Sequence, residues 1–227
     1  MKSFIWLDEK SKRLTWWNRN YYFVTTVFIV LLNIVLFAAC DKPRISIRAN
    51  WGEFSVTNLV QALINTYWHA NWQHVLLNML CCFIAGLYLE RKKGSLKFFL
   101  FVVIMSLFTA FAVCTNDVSL GWVGFSGMNY GLYGYIVVEY IFMLLQKEKR
   151  YLFNLISGGV VLALIYFAMC FSGGTRSVTF EWYPYDLLHN LGHASGFVTG
   201  IAFGLYEQAC ALISKARPCS ENKTEQS

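Results

Sequence analysis

Charge is scarce in this 227-residue chain. Only 14% of its residues are Asp, Glu, Lys or Arg, against about 25% in an average soluble domain. That scarcity argues against an ordinary soluble enzyme. The seven cysteines contain no CxxC pair and the chain has no HExxH stretch, so neither a zinc–cysteine centre nor a hydrolytic zinc site finds support. Cys81, Cys82, Cys114, Cys170 and Cys210 fall in or beside apolar runs, where a thiol behaves as a small apolar group. Cys219 lies in a segment expected to face a reducing cytoplasm, where disulfides are rare. No internal repeat and no second domain is visible. What the chain has is apolar mass: 56% hydrophobic residues, 18% aromatics and a mean hydropathy of +0.44, which exclude a disordered chain and a coiled coil.

Apolar runs decide the class. Tyr21 to Ala39 is 19 residues without a charge, and Phe98 to Thr115 is 18. A helix needs about 20 apolar residues to cross the hydrocarbon of a bilayer. The pattern predicts an all-α membrane protein, a bundle of six transmembrane helices over 21–39, 73–89, 97–115, 126–146, 151–171 and 187–208. Residues 1–20 read as a cytoplasmic N-terminal segment, 21–213 as the membrane domain and 214–227 as a polar cytoplasmic tail. The first run is too long for the apolar core of a cleavable signal peptide and has twenty residues before it. The positive-inside rule gives the orientation. Of 19 Lys and Arg, all but Lys42, Arg44, Arg48 and Arg176 fall at the termini or after the second and fourth spans. Both termini are therefore expected in the cytoplasm, and the net charge of +6 reads as membrane anchoring rather than nucleic-acid binding. Between the first two spans, Val56 to Trp68 is amphipathic and is expected to form a helix lying in the membrane interface.

Polar residues inside a membrane are costly, so they point to function. The four histidines occur in two places, His69 and His74 at the mouth of span 2, His189 and His193 at the mouth of span 6. Asn78 follows His74 by one helical turn, so the two share a face. Spans 2, 4 and 6 all enter from the outer side. His74, Asn78, His193 and Ser126, which opens span 4, are therefore expected at one depth in the outer part of the bilayer. His69 and His189 lie nearer water and read equally well as interfacial histidines. Ser126 sits in the GxSG sequence Gly124-Phe125-Ser126-Gly127, where glycines permit a tight turn and close approach of a substrate carbonyl. Alone, the motif more often means helix packing. Packing itself supports the site: Gly127, Gly131 and Gly134 on span 4 and Gly196, Gly200 and Gly204 on span 6 are spaced for close contact. Such contact carries His193 towards Ser126 and places Tyr130 beside the imidazole. A serine hydroxyl needs a base to become a nucleophile. The expectation is a Ser126–His193 dyad, with His74, Asn78 and the Ser126 amide donating to the oxyanion. No acid stands out as a third member; Asp186 is nearer water. Glu139, and likewise Glu90 and Glu207, read as structural carboxylates near inner helix ends.

These residues resemble the rhomboid intramembrane serine proteases. The resemblance covers about Asn65 to Gly204, through His69-x4-His74-x3-Asn78, Glu90-Arg91-Lys92-Lys93-Gly94-Ser95, Gly124-Phe125-Ser126-Gly127-Met128-Asn129-Tyr130 and Gly192-His193-Ala194-Ser195-Gly196 with Gly200. It implies Ser126 as nucleophile, His193 as base and His74, Asn78 and the Ser126 amide as the oxyanion site. It further implies Tyr130 stacked near His193, and Gly196 and Gly200 packing span 6 on span 4. The implied activity is cleavage of transmembrane protein substrates within the lipid bilayer, without metal or cofactor. The implied location is the plasma or inner membrane, with the site open to the non-cytoplasmic side and a gate around span 5 and Ser172 to Asp186. Two positions depart from the family pattern: Val60-Gln61 stands where relatives often have Trp-Arg, and Val123 where they often have glycine. Two other readings compete. A metal-handling membrane protein would use His189, His193, His69 and His74, but leaves Ser126 and Asn78 without a role. A non-catalytic rhomboid-like binder would escort transmembrane clients; inactive members typically lose the serine or histidine, and both stand here.

Overall fold

A computed structural model describes residues 23–39, 55–114, 124–145, 156, 159–164 and 191–216. All regular structure among them is helical. In chain order the helices are α1 (Val24–Ala39), α2 (Val56–Asn65), α3 (Trp72–Lys93), α4 (Ser95–Cys114), α5 (Ser126–Leu145) and α6 (Leu191–Ala216), with further helical residues at 156 and 159–164. Four of these, α3 to α6, are long and apolar enough to cross a membrane, and α1 is a shorter apolar helix of 16 residues. Of the expected span at 151–171, only 156 and 159–164 lie among the described residues. Helix α6 runs past the expected end at 208 to Ala216, and α3 continues past 89 to Lys93.

The distribution of polarity is the reverse of a soluble fold. Phe28, Leu31 and Val35 on α1 are more than half exposed, while Thr26 and Asn33 on the same helix are fully buried. Leu76, Leu80, Phe108 and Phe111 face outward in the same way. A water-soluble monomer seldom shows so much contiguous apolar surface. With lipid outside, every polar group must be satisfied from within. The chain is an integral membrane protein.

Local chemistry sets the helix ends. The Ser55 hydroxyl accepts from the Asn58 amide at 3.0 Å and starts α2. That helix stops at Asn65, short of the Trp68 expected from its pattern, because Thr66, Tyr67 and Trp68 turn back onto Ala62, Ile64 and Asn65 carbonyls. The Asn71 side chain caps α3 through the His74 amide at 2.8 Å. Gly94, at φ 80°, ends α3 in a conformation that disfavours any side chain and lets α4 begin at once.

The core places α5 at its centre, with its most extensive packing against α6. Glycine makes this possible. A Cβ on Gly196 would overlap the Gly127 carbonyl oxygen, and one on Gly200 would overlap that of Gly131. A Cβ on Gly134 would lie 2.5 Å from the Phe197 carbonyl oxygen. Backbone cannot yield as a side chain tip can, so the two helices touch main chain to main chain. Helix α4 packs on α6 and α2 on α4, the latter through Ala62 against Ala110 and Cys114.

The end of the bundle remote from Ser126 is held by ionised groups. Glu90 is fully buried and caps α1: its carboxylate accepts from the Thr25 amide at 2.9 Å, the Thr26 amide at 2.8 Å and the Thr26 hydroxyl at 2.6 Å. A carboxylate at a helix N-terminus also meets the positive end of the helix dipole. Lys92 pairs with Glu139 at 3.0 Å, Lys93 pairs with Glu207 at 2.5 Å, and the Tyr135 hydroxyl, with one hydrogen to give, lies within hydrogen-bond reach of both glutamates. The three carboxylates read from the sequence as structural are partnered.

Candidate active site

The site is assembled from the N-terminal ends of α3, α5 and α6. The turn before α5 is stitched down by two backbone donors. The Gly124 amide donates to the Asn65 carbonyl at 3.0 Å, and the Phe125 amide donates to His69 Nε2 at 3.3 Å. These bonds hold Gly124 at φ 115°, open only to glycine without strain. A Cβ there would also stand 2.7 Å from the His74 ring. Gly124 is therefore required twice, by its backbone angle and by the space above His74.

His69 belongs to this support. It is buried, and its ring meets that of His74 edge-on at 5.1 Å between centroids. Burial first, and the neighbouring His74 second, hold the His69 pKa down at about 3. The ring stays neutral in ordinary buffers, and Nε2 stays an acceptor for the Phe125 amide. The sequence left His69 balanced between an interfacial and a site role; the fold makes it a buried prop of the serine turn.

Ser126 is the first residue of α5. The first intrahelical bond runs from the Asn129 amide to the Phe125 carbonyl at 3.2 Å. The Ser126 amide thus belongs to the first turn, whose N–H groups have no carbonyl of their own helix to meet. His193 lies in the first turn of α6, three residues before Gly196. The close contact of Gly196 with Gly127 brings its imidazole to the serine, and His193 Nε2 lies 2.7 Å from Ser126 Oγ. Tyr130 stacks on the His193 ring at 4.4 Å between centroids and 26° between planes. Both Ser126 and His193 are 5% exposed.

On the other side of the serine turn stand His74 and Asn78. The Ala70 amide lies 3.4 Å from His74 Nδ1, so in the neutral ring the proton sits on Nε2. The Asn78 carboxamide nitrogen is buried and meets no acceptor among the described residues. Both groups border Gly124: its Cβ, were there one, would lie 2.8 Å from His74 Nε2 and 3.6 Å from Asn78 Nδ2. Two side-chain N–H donors therefore border Gly124, two residues before a serine whose hydroxyl touches an imidazole.

This frame has counterparts in other proteins. Residues 55–209, more than half of the chain, match the family model of the rhomboid domain. This chain belongs to the rhomboid family. It is 28% identical over 144 residues, 63% of its length, to Rhomboid protease GlpG of Haemophilus influenzae, of which the match covers 67%. It is 24% identical over 77% of its length to Rhomboid-like protein 11, chloroplastic, of Arabidopsis thaliana. To Rhomboid-like protease 1 of Toxoplasma gondii it is 26% identical over 63% of its length. The matches span 62% and 45% of these last two relatives.

In this rhomboid, Ser126, His193, Tyr130, Gly127 and Gly196 come together, with His74 and Asn78 around Gly124, and Gly200 packs on Gly131 further along the same contact. His189, Asp186 and Val123 lie outside the described residues, as do the expected gating residues 172–186. Val60 and Gln61 form part of α2, with Val60 half exposed. Among the described residues no three His, Cys, Asp or Glu side chains are grouped to hold a metal ion. Two contributors escaped the sequence. Asn65 acts through its main-chain carbonyl, which no side-chain pattern reveals. Asn129 touches Asn78, and its only sequence signal is an amide placed one turn after the serine.

Proposed function

We propose that this rhomboid is an intramembrane serine endopeptidase that cleaves transmembrane segments of other proteins by a Ser126–His193 dyad. The observation carrying the reading is the 2.7 Å approach of His193 Nε2 to Ser126 Oγ. His193 accepts the Ser126 proton as Oγ attacks the scissile carbonyl. The carbonyl oxygen gains charge and accepts hydrogen bonds from His74 Nε2–H, Asn78 Nδ2–H and the Ser126 amide. The C–N bond then breaks, His193 returns the proton to the leaving amine, and an ester to Ser126 remains. Water, deprotonated by the same imidazole, hydrolyses that ester. Tyr130 keeps the imidazole plane fixed through the exchange.

The membrane setting of this reading is six spans with both termini in the cytoplasm and the site open to the non-cytoplasmic side of a plasma or inner membrane. Fifteen of 19 basic residues placed on one side support it. A buried site at helix N-termini suits a substrate whose own helix must unwind before its carbonyl is reachable, because lipid offers no partner for a freed backbone. The test is cleavage of a transmembrane reporter in liposomes by purified protein. Wild type is expected to cleave, with and without a strong chelator, and Ser126→Ala is not. Loss of cleavage on chelation, with recovery on adding zinc, would replace the dyad by the histidine metal reading. A folded protein that binds the reporter without cleaving it would favour the non-catalytic binder.

A further inference from the structure

We infer that Asn129 is a positioning residue for the oxyanion site, holding the Asn78 carboxamide in the one orientation that turns its N–H donors towards the serine. The inference rests on the dyad reading above. Asn129 lies on α5, one turn after Ser126, and is 1% exposed. Its Nδ2 lies 2.9 Å from the Asn78 main-chain carbonyl oxygen and 3.1 Å from Asn78 Oδ1.

The main-chain contact removes the usual ambiguity between amide oxygen and nitrogen. A backbone carbonyl can only accept, so the Asn129 atom facing it must be the nitrogen. The same NH2 group has a second hydrogen, and the Asn78 atom it meets must be an acceptor. That atom is therefore Oδ1, and Asn78 Nδ2 is turned to the opposite side. There it is buried, finds no acceptor among the described residues, and lies on the Gly124 side of the site. Were the Asn78 amide reversed, two NH2 groups would face each other and the carboxamide oxygen would be aimed at the developing oxyanion.

The arrangement is poor as a device for stability alone. Asn129 Oδ1 is itself buried without a partner among the described residues. An apolar side chain of the same size would leave no such orphan. What the asparagine adds is direction. It also ties Asn78 on α3 to the helix that carries the serine, so donor and nucleophile move together.

The test is a kinetic double-mutant cycle on the full-length protein in liposomes with a transmembrane reporter. Asn129→Val is expected to lower kcat by about 10- to 100-fold with KM nearly unchanged, because Asn78 meets the oxygen mainly in the transition state. Asn129→Leu keeps the size and has no donor, and carries the same expectation if the valine variant does not fold. In an Asn78→Ala background either change should cost no more than about twofold, since the group it orients is gone. A wild-type kcat in a folded Asn129 variant overturns the inference. So does an equal fold-loss with and without Asn78, which indicates a general structural role. Failure of the dyad reading is seen separately, as cleavage equal in wild type and Ser126→Ala.

Discussion

The two ends of α5 treat polar groups in opposite ways. At the far end, Glu139 and Glu207 meet Lys92, Lys93 and the Tyr135 hydroxyl, and nearby Glu90 receives three donors. At the near end, about 20 Å away along the helix, the buried Asn78 carboxamide nitrogen meets no acceptor among the described residues. A membrane interior penalises an unpartnered polar group heavily. Satisfied charge at one end therefore reads as architecture, and the open Asn78 N–H donor at the other as a place kept for something that arrives. In the proposed mechanism, the oxygen of the tetrahedral intermediate is what arrives.

The contrast can be broken at its strongest point first. Asn78→Ala should reduce kcat by about 10²–10³, the usual cost of losing one oxyanion donor, while the thermal midpoint holds or rises as an orphaned polar group is removed. A large fall in thermal midpoint with kcat intact would make Asn78 architectural. Next comes the glycine contact that joins the site. Gly200→Val drives side-chain carbon into the Gly131 carbonyl, and overpacking of this kind costs about 1–3 kcal/mol. The expected result is a lowered thermal midpoint together with lost activity, because α6 carries His193. Retained activity in that variant would mean the dyad does not depend on the α5–α6 contact.

A smaller effect concerns His69. Its pKa in the fold is about 3, below the ordinary 6.5. Between those values the unfolded chain binds a proton that the folded one refuses. Stability should thus fall as pH drops from about 6.5 towards 3, by up to about 1.4 kcal/mol per pH unit from this residue. His69→Gln keeps an acceptor for the Phe125 amide but does not titrate, so it should flatten the slope in thermal midpoints measured across that range. An unchanged slope would remove His69 from the buried set. The smallest effect is expected at the satisfied end. Glu207→Gln should lower stability by about 1 kcal/mol and leave kcat within about twofold of wild type, since Glu207 is partly exposed and remote from Ser126.

Much of this was legible beforehand, for physical reasons. Ser126, His193 and the glycines on both helices follow from spacing, because helical periodicity and lack of side chains dictate which faces can touch. The helices α3, α4 and α5 follow from apolar length. What stayed hidden depends on where the main chain goes between helices. The Asn65 carbonyl, the His69 contact with the Phe125 amide and the Asn129 clamp on Asn78 exist only once the turn at Gly124 is folded. Glu90 was read as structural, but its partner, the start of α1, is 64 residues away and carries no signature beyond two threonines. The extension of α6 past 208 follows a continuing apolar run, Ala209-Cys210-Ala211-Leu212-Ile213; a span of about 20 residues is enough to cross the bilayer, so length alone sets the end too early.

The central claim is that His193 makes Ser126 a nucleophile. It is tested most directly by treating detergent-solubilised protein with a fluorophosphonate and mapping the adduct by mass spectrometry. The account predicts one adduct on Ser126 in wild type, none in Ser126→Ala, and none in a folded His193→Ala. Labelling of Ser126 at the wild-type rate without His193, or equal labelling of the protein without Ser126, would contradict it.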